Sequence, residues 1–171
     1  SQFVNPHKRK KKLLGELYDF PEGTMAIGRL DVNSEGLLLL TTDGKVSEHI
    51  RSRKVEKEYY VQVDGVITQK EIALLIKGVE IGFDGKKYTT KTCKAKLIPA
   101  PNFPNRTQKI RDDRHGPTSW VSIIVTEGKF RQIRKMTAAV GFPTLRLIRV
   151  RIGEVFLKGL ALGEVKKVPT F

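Results

Sequence analysis

A chain of 171 residues that is 39% hydrophobic holds the material for a real core, as one domain or two closely joined lobes. No apolar run approaches the roughly 20 residues that span a bilayer, and one cysteine, Cys93, excludes an internal disulfide and fits a reducing compartment. Thirty-two Lys and Arg against 18 Asp and Glu leave a net charge of +14, an excess that points to a polyanionic partner and, with no basic amphipathic helix in view, to nucleic acid over membrane.

The first 12 residues are polar and basic with no apolar segment behind them, so no signal peptide is visible. His7 to Lys12 form a compact basic run, expected as an arm or loop that meets phosphates through Lys8, Arg9 and Lys10. Leu13 to Tyr18 suit a short helical turn, and Pro21-Glu22-Gly23 turns the chain into a strand expected over Met25 to Leu30. Gly28-Arg29-Leu30-Asp31-Val32-Asn33-Ser34-Glu35-Gly36 then forms a short polar loop. The leucine run Leu37 to Leu40, closed by Asp43-Gly44, reads as a strand buried on both faces. Asp31 therefore stands where a strand gives way to a loop, a rigid but solvent-reachable place for a reactive carboxylate.

Asp43 suits the N-cap of a helix from Lys45 to Ser52. Lys57 to Val63 alternate as a strand, with Tyr59, Val61 and Val63 on one face and Tyr60 and Gln62 on the other. Thr68 and Glu71 make a capping box for a helix that stops at Gly78. A hairpin about Asp84-Gly85 and a strand over Lys94 to Ile98 follow, then a proline-rich loop from 99 to 118. Ser119 to Val125 returns to strand, with Trp120 assigned to the core. Lys129 to Val140 reads as a basic helix whose Phe130, Ile133, Met136 and Val140 should face inward. Strands from Thr144 to Ile152 and Glu154 to Leu157 close the chain. Many strands with few helices favour an α+β fold. His7, His49, His115 and Cys93 show no zinc-type spacing, and no phosphate-cradling glycine loop occurs, so neither a metal nor a cofactor is expected.

Three segments, in order, resemble the RsuA-type pseudouridine synthases, most closely the branch acting on large-subunit ribosomal RNA. They are Gly28 to Thr41, Lys57 to Val63, and Glu127-Gly128-Lys129-Phe130-Arg131-Gln132-Ile133-Arg134-Lys135-Met136. The resemblance runs from about Gly23 to Glu164. It implies a mostly antiparallel sheet in two lobes with flanking helices and a central cleft, residues 1–171 forming one catalytic domain without a separate N-terminal RNA-binding domain. It also implies Asp31 as the catalytic residue, Tyr59 as the active-site tyrosine and Arg134 as the active-site basic residue, with Tyr60, Arg131 and Lys135 as rivals for the last two roles. The expected chemistry is isomerisation of uridine in ribosomal RNA by a cytoplasmic family of monomers, with Arg29, Lys57, Arg131 and Lys135 joining Lys8, Arg9 and Lys10 as RNA contacts. A non-catalytic RNA-binding module on the same scaffold, or the same reaction on small-subunit or transfer RNA, is the alternative.

Overall fold

The computed structural model describes residue 3 and residues 12–52, 54–106, 116–169 and 171. Lys8, Arg9 and Lys10 lie outside the described residues. At the centre is β4 (Lys57–Asp64), hydrogen-bonded antiparallel to β8 (Thr118–Val125) on one side and to β9 (Thr144–Ile152) on the other. β7 (Lys94–Ile98) extends the sheet beyond β8, and β10 (Val155–Phe156) extends it beyond β9. This α+β, mostly antiparallel architecture agrees with the sequence reading.

Period-2 alternation gives the sheet one strongly apolar face. Val61 and Val63 of β4, Val121 and Ile123 of β8 and Leu147 of β9 bury there against two helices, α2 (Gln69–Lys77) and α3 (Gln132–Ala139). From α2 come Ile72 and Leu75, and from α3 Ile133 and Met136. The capping box at the start of α2 forms as expected, with Glu71 Oε2 accepting from the Thr68 amide at 3.0 Å. The hairpin of β5 (Glu80–Phe83) and β6 (Lys86–Thr89) lies beside α3. Its two-residue turn places Asp84 and Gly85 at φ 53° and 71°, the mirror-image geometry that suits tight hairpins.

A second, smaller core belongs to the other lobe. Ile27, Leu37, Leu39, Ile50 and Ile152 bury together, joined by Val46 and Val55. Here β1 (Met25–Ala26) pairs with β3 (Leu40–Thr41), and α1 (Gly44–Arg51) starts on the Asp43 side chain, which accepts from the Lys45 amide at 2.7 Å.

Two expectations about the first motif need correction. The strand expected over Met25 to Leu30 is only the two residues of β1, and Leu37 to Leu40 is not one strand buried on both faces. Instead β2 (Glu35–Gly36) pairs in parallel with Ile148 and Arg149 of β9, after which the chain leaves that sheet and reaches β1 through β3. Leu37 and Leu39 turn into the small core, while Leu38 and Leu40 are half-buried along the cleft between the lobes. The crossing is tight. Gly36 sits at φ 103°, and a Cβ there would lie 2.3 Å from the Arg149 carbonyl oxygen.

Gly28 and Gly36 thus make a controlled comparison. Both have positive φ, but a Cβ on Gly28 meets nothing within 4 Å. Gly28→Ala should cost about 1–2 kcal/mol, the ordinary left-handed penalty. Gly36→Ala should cost about 3 kcal/mol or more, because backbone must also move. Urea denaturation of the two variants reads the difference, and equal losses would disprove the close-approach account.

Candidate active site

The lobes enclose a cleft of about 1910 Å³, and the loop carrying Asp31 forms part of its wall. That loop has little apolar weight of its own: Val32 is 66% exposed. It is held by hydrogen bonds to its carbonyls. Within the loop the Ser34 amide donates to the Asp31 carbonyl at 2.9 Å. At its base, buried Arg149 donates from Nε to the Leu37 carbonyl at 2.8 Å and from Nη1 to the Arg29 carbonyl at 3.4 Å. One side chain thereby ties together both ends of the segment that bears Asp31. At the tip, the Asn33 carbonyl accepts from Arg134 Nη2 at 2.6 Å and from Arg106 Nη2 at 2.9 Å. Glu35 closes the set, gripped by Arg146 through two bonds of 2.9 and 3.0 Å and by Arg106 Nε at 3.2 Å.

The remaining arginine meets Asp31 itself. Arg131 Nη1 stands 3.6 Å from Asp31 Oδ2. The resemblance names Arg134 as the active-site basic residue, with Arg131 as a rival. In the structure Arg134 lies near enough for Asp31 to act on its charge and holds the loop backbone, with a second contact from Nη1 to the Thr144 carbonyl at 3.4 Å. Burial, followed by the nearby Arg131, lowers the Arg134 pKa from its ordinary value, while Asp31 acts the other way and Arg106 lowers it further. Arg134 Nε and Ser34 Oγ are buried without a hydrogen-bond partner.

Arg131 reaches Asp31 because the helix starts later than periodicity suggested. α3 begins at Gln132, not Lys129, and Arg131 takes the left-handed conformation at φ 51°, ψ 33°. For a residue with a Cβ that conformation costs roughly 1–2 kcal/mol, so something must hold it. The Gln132 amide donates to the Lys129 carbonyl at 3.1 Å, and the Gln132 side-chain oxygen accepts from the Lys129 amide at 2.9 Å. Gln132 is in turn fixed by buried Glu127, which accepts from its Nε2 at 2.7 Å, from Tyr88 Oη at 2.6 Å and from the Lys91 amide at 2.8 Å. The same late start overturns another expectation. Phe130, assigned to the inward stripe, is 66% exposed, because it lies in the turn and not on the helix.

Tyr59 is half-buried on β4, packed against the main core, and lines the cleft. Tyr60 points to the other face of the strand, its ring centroid 6.3 Å from that of Phe103. Lys57 also borders the cleft but donates to the Val55 carbonyl at 2.9 Å, and burial, then the neighbouring Arg149, lowers its pKa. Arg29 is exposed at the cleft wall. Lys135 is directed at the hairpin, its Nζ 2.6 Å from the Gly82 carbonyl. Trp120 is 9% exposed and in the core, as expected. Among the described residues no cluster of His, Cys, Asp and Glu could hold a metal ion.

Asp31, Tyr59 and Arg131 thus line one cleft from segments far apart in the chain, and Arg134 supports the Asp31 loop at Asn33. Arg106, Arg146, Arg149 and Glu127 were not singled out from sequence. For Arg146 and Arg149 a signal existed: charged residues inside an otherwise apolar strand must find partners when buried.

Comparison with known proteins accords with this arrangement. Residues 3–139 match the family model described as RNA pseudouridylate synthase, and the chain belongs to that family. It is 41% identical over 145 residues to the ribosomal large subunit pseudouridine synthase E of Vibrio parahaemolyticus serotype O3:K6, a match covering 84% of this chain and 59% of that protein. With the synthase E of Xanthomonas axonopodis pv. citri it shares 40% identity over 164 residues, covering 94% of this chain and 84% of the relative. A solved structure described as a pseudouridylate synthase superposes with a TM-score of 0.70 at 31% identity, covering 89% of this chain and 60% of the other.

The Glu127 hub carries a pH signature. Burial alone would raise its pKa, but the bonds from Tyr88, the Lys91 amide and Gln132 outweigh it and hold the carboxyl below its ordinary value. Its stabilising contribution is therefore present above the unfolded glutamate pKa of about 4.3 and is lost as pH falls through the lower folded value. Glu127→Gln should cost about 1–3 kcal/mol at pH 7. The gap to wild type should close as the pH drops below about 4. Chemical denaturation at pH 7, 5 and 3.5 measures it, and a gap constant across that range would rule out the charged hub.

Proposed function

We propose that this protein isomerises uridine to pseudouridine in large-subunit ribosomal RNA, with Asp31 as the catalytic residue. The observation that carries the reading is the Asp31–Arg131 pair at 3.6 Å, set in the cleft between the lobes on a loop clamped at base and tip. The substrate class comes from the large-subunit synthases the chain resembles. The reaction breaks the bond from C1′ of the sugar to N1 of uracil, turns the base, forms the bond from C1′ to C5, releases the C5 proton and leaves N1 protonated by water. It is neutral in atoms and electrons overall.

The target base leaves its stack, at a cost of a few kcal/mol, to enter the cleft. The Asp31 carboxylate serves as nucleophile toward the flipped nucleotide. Arg131, partly exposed beside it, orients the carboxylate and offsets charge that changes during the reaction. Arg134 acts at one remove, by holding the Asn33 carbonyl two residues along. Tyr59 supplies an aromatic wall for the base and a hydroxyl for proton transfer at C5. Arg29, at the exposed rim, is placed to meet phosphate. The single, half-buried Cys93, whose pKa burial pushes up to about 11, is an inert thiol and suits a cytoplasmic protein.

Release of tritium from ribosomal RNA labelled at uridine C5 tests the proposal directly. Wild type should release tritium from large-subunit RNA, and Asp31→Ala should lose the activity by about a thousandfold or more while keeping its RNA affinity within about threefold. No release by wild type from large-subunit RNA, either naked or in immature particles, would refute the assignment.

The two arginines should also separate kinetically. Arg131→Ala should lower kcat while leaving thermal stability near wild type, because it removes the cation beside Asp31 and not a support of the loop. Arg134→Lys keeps the charge but not the planar fork, and should lower both kcat and thermal stability. Single-turnover rates, set beside melting curves, distinguish these patterns. Identical behaviour of the two variants would contradict the division of roles.

A further inference from the structure

The structure takes Phe130 out of the inward stripe of its motif, and its placement needs a reason. An exposed phenylalanine alone means little, since much of any protein surface is apolar. This one is 66% exposed, lines the cleft that holds Asp31, and immediately precedes the arginine that pairs with Asp31. The backbone that turns it outward is not a frayed end. Arg131 holds a left-handed conformation, and the buried Gln132 side chain, fixed by Glu127, pins the turn through the Lys129 amide. The turn is thus built to keep Phe130 out of the core that its helical spacing would otherwise allow. Lys135 Nζ lies 5.6 Å from the ring centroid.

We propose that Phe130 is a stacking platform for an unpaired RNA base next to the nucleotide that enters the cleft. This rests on the RNA-modifying function proposed above. Chemistry selects the occupant. Lys129 and Arg131 flank the ring in sequence, and Lys135 approaches it in space. An aromatic face set among cations is how single-stranded nucleic acid is held, the ring taking a base and the cations its phosphates. A protein partner burying the same ring would have to neutralise those cations with acidic groups, whereas RNA brings one negative charge with every base. The geometry also fits the event. When the target uridine leaves its stack, its neighbour loses a stacking partner, and a rigid ring at the cleft rim replaces it. Because the turn is already fixed, little freedom is lost when the base arrives. Val32, equally exposed at 66%, borders the same cleft from the Asp31 loop and gives the rim a second apolar edge.

The test separates stacking from charge and from catalysis. Two sets of ten-nucleotide oligoribonucleotides serve as probes: one carries 2-aminopurine at alternate positions, and the other is abasic at those positions with the phosphates unchanged. Wild type should quench 2-aminopurine fluorescence on binding. Phe130→Ala should abolish most of that quenching and weaken binding about tenfold. Phe130→Tyr should restore both, and Phe130→Leu should restore neither, while melting temperatures stay level because the ring is exposed. On the abasic probes, wild type and Phe130→Ala should bind alike, whereas Lys129→Ala should weaken binding to both probe sets. Phe130→Leu matching wild type, or a Phe130→Ala defect that persists on abasic RNA, would overturn the proposal. Tritium release from large-subunit RNA is measured in parallel. Quenching without release by wild type would defeat the proposed reaction and leave the platform standing, and release with no effect of Phe130→Ala on either probe would do the reverse.

Discussion

Asp31 is immobilised by guanidinium groups that donate to backbone carbonyls, and the rest of the site depends on that arrangement. The loop from Arg29 to Leu37 makes no helix and only two residues of strand, so most of its carbonyls need partners from elsewhere. Arg149 supplies them at the base, and Arg134 and Arg106 at the tip. Hydrogen bonds with a charged donor contribute about 1.5–3 kcal/mol each, more than neutral ones, and a planar fork fixes direction as well as distance. A hydrophobic anchor would have been weaker in direction and would have drawn the loop into the core. The chosen solution keeps Asp31 open to the cleft while holding its backbone at both ends.

The same solution concentrates positive charge. Arg106, Arg131 and Arg134 lie close enough for their charges to act on one another, and Asp31 and Glu35 are acids that face them among the described residues. Like charges crowded together are unfavourable unless something offsets them. Carbonyl dipoles do so in part, and the two carboxylates do the rest. The chain's large positive charge therefore has two distinct uses. Arg149 is buried and ties protein to protein, as Arg146 does at Glu35, whereas Arg29 at the rim is available to a ligand. Composition alone cannot separate them, because both kinds count equally toward net charge.

Much of the architecture was legible because period and turn chemistry agreed locally. β4, β7, β8, β9, α1 and α2 all fall where alternation, capping residues and Asp-Gly turns placed them, and the Asp31, Tyr59 and Arg134 motifs meet at one cleft. Failures occurred where tertiary contact overrode local preference. Leu37 to Leu40 look like one buried strand, but Gly36 lets the chain cross against the Arg149 backbone and divide between two sheets. Phe130 sits at core spacing with Ile133 and Met136, yet one left-handed residue, held by a glutamine side chain, takes it out of the helix. Arg106 and Arg146 act on a loop more than 70 and 100 residues away in sequence, a relation that periodicity cannot express.

Strand order sets the time at which this protein becomes competent. β4 is formed early in the chain, but its two neighbours, β8 and β9, are late, and β9 alone provides the edge on which β2 lies. A sheet whose central strand waits for distant partners has high contact order and folds slowly for its size. During synthesis, Asn33 and Leu37 of the Asp31 loop emerge 101 and 112 residues before Arg134 and Arg149, which hold their carbonyls. A nascent chain therefore carries Asp31 on an unanchored segment. The geometry around Asp31 is acquired late, in a step that also completes the sheet.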